Sequence, residues 1–188
     1  ITLQIKDKTM ANILLAVTGS ISAYKAAEIT SQLTKLGHQV KVLMTPAATA
    51  FITPLTLQVL SKQAVLVDVM TEEDPKQIQH IDLGKEADLF LVAPASANTI
   101  AKLALGFADT IVTSTALALP SEVKKFLAPA MNTKMLDHPA TQNNLETLKS
   151  YGYQIIPPRE AILACGDQGS GALASIETIL TTIQESLS

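Results

Sequence analysis

Residues 11–44 read ANILLAVTGSISAYKAAEITSQLTKLGHQVKVLM. The opening ANILLAV is almost continuously apolar, the pattern of a strand buried on both faces of a parallel sheet. A turn, Thr18-Gly19-Ser20, follows. Residues 21–36 then carry helical spacing and stop at Gly37, a natural C-cap. HQVKVLM, 38–44, reads as a second strand, so the unit is β-α-β, parallel, with a right-handed crossover.

The alternation continues along the chain. Thr53-Pro54 is the capped start of a second helix, and 64–69 reads as a short strand. The polar, acidic 71–79 reads as a loop closed by His80, with a short helix over 82–87. DLFLVA, 88–93, is a further buried strand ending at Pro94, followed by helices over 96–105 and 109–119. VKKFLA, 123–128, repeats the strand that ends at a proline. Helical spacing returns over 132–151 with a break near Pro139, then a strand over 153–156, a loop over 157–171 and a terminal helix over 174–187. The expected fold is a single-domain, three-layer α/β/α structure around an open, mostly parallel, doubly wound sheet of Rossmann or flavodoxin-like type.

Composition bounds the function. The chain has 188 residues, 47% of them hydrophobic, which suits one α/β domain and not two. There is no Trp, so Ala, Leu, Ile and Val must fill the core. A net charge of -3 without a basic run argues against nucleic acid as a partner. No apolar run reaches the roughly 18 residues of a membrane span. The start ITLQIKDKTM lacks the apolar core of a signal peptide, and Met10 reads as the natural start, with 1–9 as a leader. A single cysteine, Cys165, excludes an internal disulfide and suits a reducing cytoplasm. His38, His80 and His138 show no metal-ligand spacing, so no metal is expected.

In doubly wound sheets ligands sit beyond the carboxyl ends of the strands, so the residues just after each strand carry the functional signal. TGSISAYK, 18–25, places Gly19 and Ser20 at a tight turn opening a helix whose free N–H groups suit a phosphate. It is neither the dinucleotide fingerprint nor a P-loop, which leaves mononucleotides open. APASANT, 93–99, adds hydroxyl and amide groups at a second strand end. APAMN, 128–132, ends on Asn132, which can grip a carboxylate or simply cap the next helix. ACGDQGSG, 164–171, sets the lone thiol in a glycine-rich segment able to close over a ligand. His80 has the chemistry of a general base near neutral pH.

In order and spacing these pieces resemble the flavin-dependent cysteine decarboxylases, over residues 12–174: TGSISAYK, the His-Ile of HIDL, PASANT, PAMN continuing as MNTKM, and ACGDQGSG. The resemblance implies flavin mononucleotide (FMN) held by Gly19, Ser20, Ile21, Thr45, Ser96, Ala97, Asn98, Thr99 and Ala130. It implies His80 in the oxidative half of the reaction and Asn132 on the carboxylate of a cysteine moiety. Cys165 is implied as proton donor in the reductive half, on a flap whose Ala164, Gly166 and Asp167 also meet substrate. The implied reaction is redox-neutral. Oxidation at the thiol-bearing carbon gives a thioaldehyde, CO2 leaves, and the resulting enethiol is reduced again.

Retention of Cys165 favours 4'-phosphopantothenoylcysteine as substrate and 4'-phosphopantetheine as product, in coenzyme A biosynthesis. The rivals are a peptidyl-cysteine decarboxylase, a flavin prenyltransferase and a non-catalytic regulator of the same fold. Family members assemble as trimers or dodecamers with the flavin at a subunit interface, so a homotrimer or homododecamer is implied. Many continue the flap as Gly-Arg where this chain has Gly171-Ala172, so that arginine's contribution is not carried over. Many are also fused to a ligase domain; a chain ending at Ser188 reads as a stand-alone decarboxylase.

Overall fold

Five strands form a parallel sheet: β1 (Asn12–Val17), β2 (Gln39–Met44), β3 (Leu89–Ala95), β4 (Lys124–Pro129) and β5 (Tyr153–Ile155). Their order is β2-β1-β3-β4-β5, the flavodoxin-like arrangement. The computed structural model describes residues 10–71, 78–162, 166 and 168–188.

Period-two alternation feeds two cores from the same strands. Ile13, Leu15 and Val17 of β1 point to one face, where they meet Ile29 and Leu33 of α1 (Ala26–Lys35), Leu57 of α2 (Pro54–Ser61) and Ile179 and Ile183 of α8 (Ile176–Leu187). Leu14 and Ala16 point to the other. There they join Ile100 and Leu103 of α4 (Ala97–Leu105), Val112 of α5 (Ile111–Leu117) and Leu145 and Leu148 of α7 (Pro139–Ser150). A short helix, α3 (Gln79–Glu86), packs beside α5 on this second face, and Gly84 lets it approach: a Cβ there would stand 3.2 Å from the Ala118 carbonyl oxygen. Both faces of every central strand are therefore covered, which is why the strands read as continuous apolar runs. Full burial of side chains such as Leu15, Leu91 and Phe126 contributes about 1.5–3 kcal/mol each.

The fold class agrees with the expectation, and two local readings are corrected. Segment 64–69 is not a strand; a single parallel bridge, Leu43 to Leu66, is all that pairs there. Segment 157–171 is not simply loop: β6 (Arg159–Ile162) and β7 (Gln168–Ala172) form an antiparallel hairpin outside the main sheet. One boundary also moves, and one expected break is present. The helix expected over 82–87 begins at Gln79, placing His80 in its first turn. The break near Pro139 divides 132–151 into α6 (Thr133–Asp137) and α7.

Candidate active site

β1 hands the chain to α1 on one face and β3 hands it to α4 on the other, so a crevice opens where the two connections part. Thr18, fully buried at the end of β1, ties the crevice floor together. Its hydroxyl donates to the Pro94 carbonyl at 2.6 Å and accepts from the Ser96 amide at 2.9 Å. Gly19 follows, packed so closely that a Cβ would lie 2.7 Å from the Ala47 Cβ. Only glycine lets the turn after β1 pass the turn after β2.

Ser20 caps the 3-10 turn Ile21–Lys25 that leads into α1, accepting from the Ser22 amide at 3.3 Å; its hydroxyl also lies 3.3 Å from the Ala130 carbonyl oxygen. Ser96 caps α4 through the Thr99 amide, also at 3.3 Å. Opening turns carry N–H groups without intrahelical partners and a partial positive charge. Both face one cavity of about 570 Å³, whose lining includes Gly19, Ser20, Ile21, Ser96, Ala97, Ala130 and Asn132.

Much of the remaining wall is apolar and open, with Ile21, Tyr24, Phe51, Met135 and Ile162 exposed, and Lys25 and Arg159 complete it. Two helix starts beside an apolar slot suit a molecule with a phosphate at one end and a flat ring at the other. At the third strand end Asn132 caps α6, its Oδ1 accepting from the Lys134 amide at 2.9 Å, and its residue still lines the cavity.

The β6–β7 hairpin is fastened over this loop. The Met131 amide donates to the Gly171 carbonyl at 2.9 Å, and the Thr133 hydroxyl donates to the Ser170 carbonyl at 2.6 Å. Gly171 has φ +132°, and a Cβ there would come within 2.3 Å of the Met131 carbonyl oxygen. The glycines thus allow one backbone to lie on another.

A family model described as Flavoprotein matches residues 2–188. The chain belongs to the Flavoprotein family. It is 65% identical, over 93% of its own length and 98% of the relative's, to the "Probable phosphopantothenoylcysteine decarboxylase" of Streptococcus mutans. It is 48% identical to the "Coenzyme A biosynthesis bifunctional protein CoaBC" of Bacillus subtilis, covering 90% of this chain but only 41% of that protein.

Among solved structures, a cysteine-to-serine variant of PPC decarboxylase complexed with pantothenoylaminoethenethiol superposes with TM-score 0.87 at 31% identity, covering 94% of this chain and 98% of that one. The FMN binding protein AtHal3 gives 0.84 at 32%, covering 94% and 96%.

The structure brings some of the residues expected of a Flavoprotein family site to the cavity and leaves others away from it. Thr45 caps the 3-10 turn Pro46–Ala50, the turn that meets Gly19. Thr99 is buried and accepts from the Ser96 hydroxyl at 3.3 Å, so it bears on the cavity through Ser96. Asn98 is exposed one residue beyond the lining, and Gly166 is exposed with φ +88°. Ala164, Cys165 and Asp167 lie outside the described residues.

His80 does not line the cavity. It opens α3, which runs back to the start of β3, so it stands at the carboxyl end of the sheet; its Nδ1 is buried without a hydrogen-bond partner among the described residues. Thr18, Phe51, Met131 and Arg159 were not singled out as site residues from the sequence. Only Thr18 and Met131 carried a signal there, as members of the TGSISAYK and PAMN segments.

Proposed function

We propose that this chain is an FMN-dependent decarboxylase that converts 4'-phosphopantothenoylcysteine to 4'-phosphopantetheine and CO2 in coenzyme A biosynthesis, working in the cytoplasm. The observation that supports this most is a convergence at one cavity. Two capped helix starts able to hold a phosphate meet Asn132 there, beneath the base of the glycine-rich hairpin. The donor set fits FMN: Ser20 and Ser96 with their helix amides toward the phosphate, and Ile21, Ala97, Ala130 and Met131 along the ring. Thr45, Asn98 and Thr99 support that frame from behind or beside it.

Bound at this cavity, a flavin would supply the redox chemistry, serving as a reversible two-electron acceptor for the thiol-bearing carbon. The chain's own residues orient, cover and protonate. Asn132 holds the carboxylate that will leave as CO2. Cys165, which with Ala164, Gly166 and Asp167 lies between β6 and β7 in the sequence, delivers a proton to the carbon that lost CO2, next to the thiol-bearing carbon that is reduced. His80 takes up a proton in the oxidative half.

His80 stands away from the cavity of its own chain, and part of the cavity rim is an open apolar surface. We therefore assign it to the cavity of a second copy in a homotrimer or homododecamer. Burial of Phe51, Tyr24 and Ile162 against a neighbour would remove an exposed apolar patch that a lone chain leaves in water.

Replacing Cys165 by serine tests the assignment. The Cys165→Ser variant should still release CO2 but yield the oxidised enethiol in place of 4'-phosphopantetheine, as read by mass spectrometry. An unchanged yield of 4'-phosphopantetheine would remove Cys165 from the reaction.

A further inference from the structure

The hairpin register sets a cation across from a small residue at the cavity wall. Arg159 of β6 is the cross-strand partner of Ala172. The ladder shifts register between Arg159 and Glu160, so Arg159 pairs beyond the irregularity, at the level where position 172 has only a methyl group. Both residues line the main cavity. Arg159 Nε donates to the Leu173 carbonyl at 3.2 Å, the single hydrogen bond of that guanidinium among the described residues, which anchors its stem and leaves the fork for a ligand.

Arg159 also borders an adjoining cleft of about 490 Å³ with Tyr24, Lys25, Glu28, Ser175 and Ile176. Neither Arg159 nor Lys25 forms a salt bridge among the described residues. The two cations feel each other. Burial, and then the charge of Arg159, hold the Lys25 amine below its ordinary value, while Glu28 opposes them. Ser175, the cap of α8, and Ile176 in its first turn add a positive helix end to the same cleft. Two cations held together with one carboxylate nearby are a cost to the free protein that a dianion would relieve.

We propose that Arg159, with Lys25 beside it, is the subsite for the terminal phosphomonoester of the substrate. This rests on the decarboxylase reading above. The cofactor also carries a phosphomonoester, but the two capped helix starts at Ser20 and Ser96 provide for that group. Arg159 lies on the hairpin and reaches into the outer cleft as well. A substrate gripped at its carboxylate by Asn132 runs outward under the hairpin to Arg159. The planar guanidinium suits bidentate capture of a phosphate.

The test measures, on the flavin-loaded protein, the affinity ratio of 4'-phosphopantetheine to pantetheine by titration calorimetry, with flavin content as a parallel readout. Wild type should prefer the phosphorylated ligand. Arg159→Ala should lose about 10- to 100-fold of that preference while keeping its flavin. Adding Ala172→Arg in the Arg159→Ala background should restore part of it, since the new arginine enters at the same level of the hairpin.

An unchanged preference, equal weakening of both ligands, wild-type binding of neither ligand, or loss of flavin in Arg159→Ala would each overturn the subsite. If wild type keeps the preference but decarboxylates nothing, the subsite stands and the decarboxylase reading falls.

Discussion

Thr18 has no chemistry to offer a substrate, yet its single hydroxyl serves the Pro94 carbonyl and the Ser96 amide at the point where β1 and β3 part. Replacing it by the near-isosteric valine leaves both groups buried without a partner, at a cost of about 1–3 kcal/mol for each. Thr18→Val should therefore lower Tm by roughly 4–24 °C, on the order of 2–4 °C per kcal/mol for a domain of this size, and weaken flavin retention. Thr18→Ser should keep most of both. A valine variant that melts and retains flavin like wild type would show that the crevice floor is held elsewhere. At this scale the sequence is only half readable: glycines, caps and a lone cysteine announce themselves by type. A threonine inside a familiar turn does not reveal that its partners lie 76 and 78 residues away.

Among the elements, the hairpin tests the reading best. Thr133 fastens β7 through Ser170, and Met131 fastens it through Gly171, one residue on either side of Asn132. Thr133→Val should loosen the hairpin over Asn132 and cut kcat about tenfold, with flavin content and Tm nearly unchanged, because the hairpin lies outside both cores. Equal kcat in wild type and variant would mean that this anchor does not position the cover.

The sheet strands could be read because alternate residues enter two apolar cores, which writes long hydrophobic runs into the chain. REAI and QGSGA carry no such pattern. Their pairing depends on backbone contact with another loop, which glycines permit and no periodicity records. The opposite error at 64–69 has the same root. An apolar stretch at the edge of the sheet needs only one bridge to β2 to settle there.

At the scale of the whole molecule, the strand order brings together turns that the sequence keeps far apart. Gly19 and Ser20 follow β1, Ser96 and Ala97 follow β3, Ala130 and Asn132 follow β4, and all line one cavity. The account stands or falls on what that cavity converts. The most direct measurement incubates the flavin-loaded protein with 4'-phosphopantothenoylcysteine, without oxygen or any added electron acceptor, and identifies the product by mass spectrometry. The account predicts 4'-phosphopantetheine over many turnovers, with the flavin absorbance unchanged at the end. No product, or an oxidised enethiol formed only in proportion to the flavin present, would contradict it.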